Sequence, residues 1–189
     1  MKIFISGGAK NGKSTYAQRL AKAQSADVPL YYVATMKSSD SEDDERIARH
    51  RAERDGWGFT TIEQPVNIEE ILEQSDHSGS FLIDSLTALL SNEMFPPPDW
   101  NLNELSADKI TEGLSRILNA VDNIVVVSDY IYSDAMLYDP LTEKYRQFLA
   151  QIDRATAKRC DVVLEAAYAS IIVHKGKPLD LRNIYSGEG

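Results

Sequence analysis

The sequence predicts an α/β fold: a mainly parallel sheet flanked by helices, with a hairpin at its C-terminal end. Three observations predict it. Short apolar runs rich in β-branched residues recur along the chain. Stretches of helical period separate most of them, which is the signature of successive β-α-β units. The runs FLID and IVVVSD are apolar almost throughout, as strands covered on both faces should be.

The elements follow in order. The first strand, residues 3–6, runs into a glycine-rich loop and a helix over 13–24. A second strand covers 30–34. The acidic stretch SSDSEDD, 38–44, reads as a solvated loop that caps a helix over 42–54. A short helix over 68–74 precedes a strand at 81–84. The segment FPPPDW, 95–100, breaks any helix and reads as a surface loop. A helix over 106–120, a strand at 124–128 and a helix over 142–158 come next. The last two strands, 162–165 and 170–174, are joined by only a few residues, so they pair as a hairpin. No repeat or linker is visible, and one domain over residues 1–189 is expected.

Bulk properties narrow the function. The 189 residues can bury a sizeable core. A net charge of -9 and a pI of about 4.8 argue against a nucleic-acid binder, which needs a basic surface. One cysteine, Cys160, leaves no internal disulfide and no cysteine-rich metal site. The apolar runs fall short of the ~20 residues of a membrane span, and the first residues do not read as a signal peptide. A cytoplasmic location is the expectation.

The opening stretch fits G-x-x-x-x-G-K-[ST], with Gly7, Gly12, Lys13 and Ser14 at the fixed places. Gly8, Ala9, Lys10, Asn11 and Thr15 complete the loop. Its glycines let backbone N–H groups turn inward around phosphate oxygens. Lys13 reaches the β- and γ-phosphates, and the Ser14 hydroxyl is a Mg²⁺ ligand. The helix that starts near Lys13 adds its positive N-terminal end. A P-loop nucleotide-binding domain for ATP or GTP with Mg²⁺ is therefore expected. Such a site needs an acid for the metal. Asp84, at the C-terminal end of a strand, is the first candidate, and Asp129, after the strand at 124–128, is the second. Either could instead cap a helix.

Arg46, His50 and Arg54 are four residues apart on the expected helix, so they share one face. Two guanidiniums beside an imidazole suit a triphosphate clamp with a nucleophile or acid/base between them. From spacing alone, a solvated helix with its glutamates paired to the arginines is the simpler reading. His77, in a polar loop, and His174, at a strand end, read as structural.

Several segments together resemble the bifunctional cobinamide kinase/cobinamide-phosphate guanylyltransferase family of cobalamin biosynthesis. They are GGAKNGKS after the first strand, YYVATM at 31–36, RIARHRAER at 46–54 followed by Trp57, and FLIDSLTALLSNEMF at 81–95. The resemblance implies a RecA-like P-loop fold and a homo-oligomer, with members that look like trimers. It also implies two reactions. ATP or GTP phosphorylates the hydroxyl of the aminopropanol arm of adenosylcobinamide; GTP then guanylylates the product through a guanylyl-histidine. On this resemblance Asp84 matches the acid of the second nucleotide motif and His50 the histidine of R-I-x-x-H. Asp129 would orient the substrate hydroxyl, and Arg46 and Arg54 would hold the phosphates. The chain departs from the family at Arg54-Asp55-Gly56-Trp57, which lacks a proline. It departs again at Ser128-Asp129-Tyr130-Ile131-Tyr132, where the family has Asn-Glu-Val-Gly. Two other readings stand beside this one: a P-loop kinase of another small hydroxylated substrate, favoured by the altered segment 129–139, and a nucleotide-binding protein without turnover.

Overall fold

The computed structural model describes residues 1–37, 48, 54–132, 134–168 and 170–179. Seven strands form one sheet: β1 (Lys2–Gly7), β2 (Leu30–Ala34), β3 (Thr60–Glu63), β4 (Ser80–Asp84), β5 (Asn123–Asp129), β6 (Val162–Ala167) and β7 (Ser170–Lys175). Helices α1 (Lys13–Ser25), α2 (Leu86–Met94), α3 (Ser106–Ala120) and α4 (Pro140–Arg159) join them, with a 3₁₀ turn at Ile68–Glu73. The strand order is β3-β2-β4-β5-β1-β6-β7. All neighbours pair in parallel except β6 and β7, which form the expected antiparallel hairpin.

Strand alternation splits the core into two layers. Ile3, Ile5, Leu82, Val125 and Val127 pack with Ala17, Leu20 and Ala21 of α1. Phe4, Phe81, Ile83 and Val126 pack on the other face with α2, α3 and α4. The same period of two places Gly7, Asp84 and Asp129 on the α1 face, at the C-terminal ends of their strands. It places Ser6 and Ser128 on the opposite face. The register aligns Gly7 with Asp129 and Asp84 with Val127, so these ends form one rim. Parallel sheets bind ligands at that rim, where connections leave in opposite directions.

Three elements differ from expectation. β3 was not expected; in TTIE only Ile62 is buried, because this is an edge strand with little apolar signal. Residues 68–73 are a 3₁₀ turn rather than an α-helix, a form that suits a piece of six residues. α2 follows β4 so closely that strand and helix read as one apolar stretch; Ser85 separates them by capping α2. In the expected helix over 42–54, Ala48 is helical and Arg54 lies in a turn. The rest of that stretch, and the acidic loop before it, lie outside the described residues. Among the described residues no helix is long and apolar enough to cross a membrane.

Candidate nucleotide and phosphate site

The loop after β1 needs glycine for a steric reason. A Cβ at Gly7 would stand 2.5 Å from the Ala166 carbonyl oxygen and 2.5 Å from Asn11 Nδ2. Asn11 ties the loop to β6 by donating to that same carbonyl, and its Oδ1 accepts from the Lys13 N–H at 3.2 Å. Gly12 has φ 82, in the left-handed region, and is the N-cap of α1. It has no side chain to cap the helix, whereas Ser85 and Asp139 cap α2 and α4. The first-turn N–H groups of α1, those of Ser14 and Thr15 among them, therefore stand at the position where an anion binds a helix N-terminus.

Lys13 is 6 % exposed. Its ammonium forms an ion pair with Asp129 and donates to the Gly8 carbonyl at 3.1 Å. Asp129 is held in turn by Thr87 of α2. The Thr87 hydroxyl donates to Asp129 Oδ2 at 3.2 Å and accepts from the Asp129 N–H at 3.0 Å. Tyr145 of α4 fixes Thr87 by donating to its carbonyl at 2.8 Å. Neither Asp84 nor Asp129 caps a helix: Ser85 caps α2, and no helix starts directly after β5.

Asp84 is anchored by the Tyr32 hydroxyl, which donates to Oδ2 at 2.9 Å. The Arg54 guanidinium lies 3.5 Å over the Tyr32 ring, a cation–π contact. Arg54 thus reaches Asp84 through Tyr32, from a turn and not from a helical face. The end of β2 is fastened to the start of α2. The Thr35 hydroxyl donates to the Ser85 carbonyl at 2.7 Å and accepts from the Ser85 N–H at 2.8 Å. Asn92 Nδ2 donates to the Thr35 carbonyl at 2.8 Å. The donor set suits Mg²⁺: one hydroxyl, Ser14, and one carboxylate, Asp84, with the remaining positions left to phosphates and water. No cluster of three or more metal-ligating side chains exists among the described residues.

On the opposite face, Asp153 of α4 is 2 % exposed and accepts the Tyr132 hydroxyl at 2.8 Å. Burial pushes its carboxyl up to about 6, against the lowering effect of the Ser128 and Tyr132 hydroxyls. His77 bonds the Leu72 carbonyl and His174 pairs with Glu165, both structural contacts.

The structure brings the loop of residues 7–15, Asp84 and Asp129 to one rim. Arg46 and His50 lie outside the described residues. Sequence reasoning assigned no role to Tyr32, Thr35, Thr87 or Asn92. All four sit inside YYVATM and FLIDSLTALLSNEMF, so the motifs contained the signal while the partners could be seen only in three dimensions.

Comparison with known proteins bears on the fold and the family. The flagellar accessory protein FlaH of Methanocaldococcus jannaschii superposes with a TM-score of 0.52, over 93% of this chain and 78% of that one, at 15% identity. The Pyrococcus horikoshii protein PH0250 superposes with a TM-score of 0.50, over 96% and 92% of the two chains, at 10% identity. These likenesses speak to the fold alone. Sequence relatives are more specific. The bifunctional adenosylcobalamin biosynthesis protein CobP of Pseudomonas aeruginosa is 31% identical over 181 residues, 95% of this chain and 100% of that protein. The corresponding CobU of Escherichia coli is 22% identical over 86% and 93% of the two chains. The pattern of the family described as cobinamide kinase / cobinamide phosphate guanyltransferase matches residues 3–177, from the first strand through the hairpin. The phosphate loop, its lysine–aspartate pair and the rim acids are thus parts of a chain that belongs to the cobinamide kinase / cobinamide phosphate guanyltransferase family.

Proposed function

We propose that this protein phosphorylates adenosylcobinamide with ATP or GTP and Mg²⁺, then guanylylates the product with GTP through a histidine adduct. The observation that carries the reading is the meeting of Lys13, the uncapped first turn of α1 and the rim acids Asp84 and Asp129 in a chain of this family.

Phosphoryl transfer asks a protein mainly to position groups and neutralise charge. The N–H groups at the start of α1 take phosphate oxygens. Lys13 exchanges Asp129 for the β- and γ-phosphates. Ser14 and Asp84 would hold Mg²⁺, which would supply further neutralisation of the phosphate charge. Asp129, still fixed by Thr87, orients the acceptor hydroxyl. The hydroxyl oxygen bonds to the γ-phosphorus as the bond to the bridging oxygen breaks; the nucleoside diphosphate leaves and the hydroxyl proton passes to Asp129 or water. In the second reaction a neutral His50 imidazole attacks the α-phosphorus of GTP and pyrophosphate leaves. The phosphate of the first product then displaces His50. Arg46 and Arg54 hold phosphates in this step.

Incubation with adenosylcobinamide, Mg²⁺ and either nucleotide tests the first reaction. The reading expects a phosphorylated corrinoid and one nucleoside diphosphate per turnover, with both formed roughly 10²–10³ more slowly by Lys13→Ala. If nucleotide binds and the corrinoid stays unchanged, the reading fails. Transfer to another hydroxylated acceptor would then make the protein a different kinase.

A further inference from the structure

The segment between β5 and α4 leaves the nucleotide rim at Asp129 and enters α4 at Pro140. Among the described residues ten large hydrophobic side chains are exposed, and five of them belong to this short stretch: Ile131, Met136, Leu137, Tyr138 and Leu141. Leu137 is 95 % exposed. Apolar side chains exposed singly need no explanation, but a cluster beside a reactive site does.

The cluster is held on a braced backbone. Arg146 of α4, itself buried, donates from Nε to the Ile131 carbonyl at 3.1 Å and from Nη1 to the Met136 carbonyl at 3.3 Å. Its Nη2 reaches the Asp134 carboxylate at 2.9 Å, and Nη1 reaches Glu143 at 2.6 Å. The guanidinium lies 4.8 Å from the centre of the Tyr138 ring, whose hydroxyl donates to Asp134 at 2.8 Å. Tyr132 pins the near end through Asp153. Burying a guanidinium is costly unless its fork of donors is satisfied, and here the strap's own carbonyls and acids satisfy it. The outcome is a chain anchored at Ile131, Asp134 and Met136, with the Met136 and Leu137 side chains open to solvent. Pre-organisation of this kind lowers the entropy cost of binding.

Charge indicates what binds there. Residues 130–139 carry Asp134 and Asp139 and no lysine or arginine. An acidic, apolar strap repels the nucleotide's phosphates and suits a broad apolar body that is neutral or cationic. A corrinoid has those properties: a wide macrocycle around a cationic cobalt centre, with an uncharged hydroxyl arm. We propose that the strap formed by Ile131, Tyr132 and residues 134–141, braced by Arg146, is the acceptor platform, with Met136 and Leu137 packing on the corrin macrocycle while Asp129 at its root meets the hydroxyl arm. The assignment rests on the function proposed above.

The test is equilibrium binding of adenosylcobinamide, followed by its own absorbance, to the wild-type protein and to Met136→Ser/Leu137→Ser. Nucleotide affinity and sedimentation are measured on the same samples. Both side chains are exposed, so folding is not at issue. Loss of two apolar contacts should weaken corrinoid binding by about tenfold or more, with nucleotide affinity unchanged. Equal corrinoid affinity in both proteins overturns the platform and leaves the proposed function standing. Dissociation of a wild-type oligomer by the double variant, at unchanged corrinoid affinity, overturns it in favour of a contact between copies. A wild-type protein that binds nucleotide but no corrinoid overturns the proposed function and the platform together.

Discussion

In the proposed reaction Lys13 serves two partners that exclude each other. Its buried ammonium is held by Asp129 and the Gly8 carbonyl, yet nucleotide needs the same charge. Removing Asp129's charge should therefore tighten nucleotide binding severalfold, while transfer to the acceptor falls. Calorimetric titration of Asp129→Asn with nucleotide, beside a turnover assay, checks both signs. Lys13→Ala should lower turnover by roughly 10²–10³, the usual loss of a preorganised charge at a transition state. Asp153 makes a second prediction at this scale. Burial holds its carboxyl at about 6, above its ordinary value of 3.8. The folded state thus keeps a proton that the unfolded state has lost, and stability falls as pH rises between those values. Above about 6 the cost is constant, roughly 3 kcal/mol at most. Asp153→Asn, which is never charged, escapes that cost. Its melting temperature should exceed that of the wild type at pH 7.5, and the gap should close near pH 4. A gap that does not change with pH contradicts this.

At the scale of elements, the junction of β1, the phosphate loop and β6 is tight. A methyl group at Gly7 meets a backbone carbonyl of β6, which cannot move without breaking the parallel ladder. Gly7→Ala should lower the melting temperature and remove nucleotide binding, read by thermal melts with and without nucleotide. Six of the seven strands were legible in the sequence: the five inner strands carry buried apolar residues, and the exposed edge strand β7 carries the β-branched residues of SIIV. β3 was not, since an edge strand with one buried side chain leaves almost no pattern. α2 was hidden because in FLIDSLTALL only Asp84-Ser85 separates the strand from the helix. The difference between an α-helix and the 3₁₀ turn at Ile68–Glu73 is a matter of one hydrogen-bond register, which side-chain periodicity over six residues does not resolve.

The whole molecule joins two kinds of site information. The phosphate loop was legible because its chemistry demands fixed residue types at fixed spacing. The pairing of Lys13 with Asp129 was not, because the two are far apart in sequence and meet only through the register of β1 with β5. Likewise, Arg146 gives no sign in sequence that it braces the strap. The single cysteine reports on the integrity of this assembly. Cys160 is 1% exposed and burial pushes its thiol up to about 12. A thiol reagent should label it only after global opening, and nucleotide should slow that labelling by mass action. Labelling of Cys160 as fast as a free thiol would contradict the packed core.

The central claim is that one chain carries both kinase and guanylyltransferase chemistry, and the second reaction is its most exposed part. Intact-protein mass after incubation with GTP and Mg²⁺, for wild type and for His50→Ala, tests it most directly. The account predicts a gain of one GMP on the wild type and none on the variant. A wild-type protein that binds GTP and gains no mass, or a variant that gains the same GMP, would contradict it.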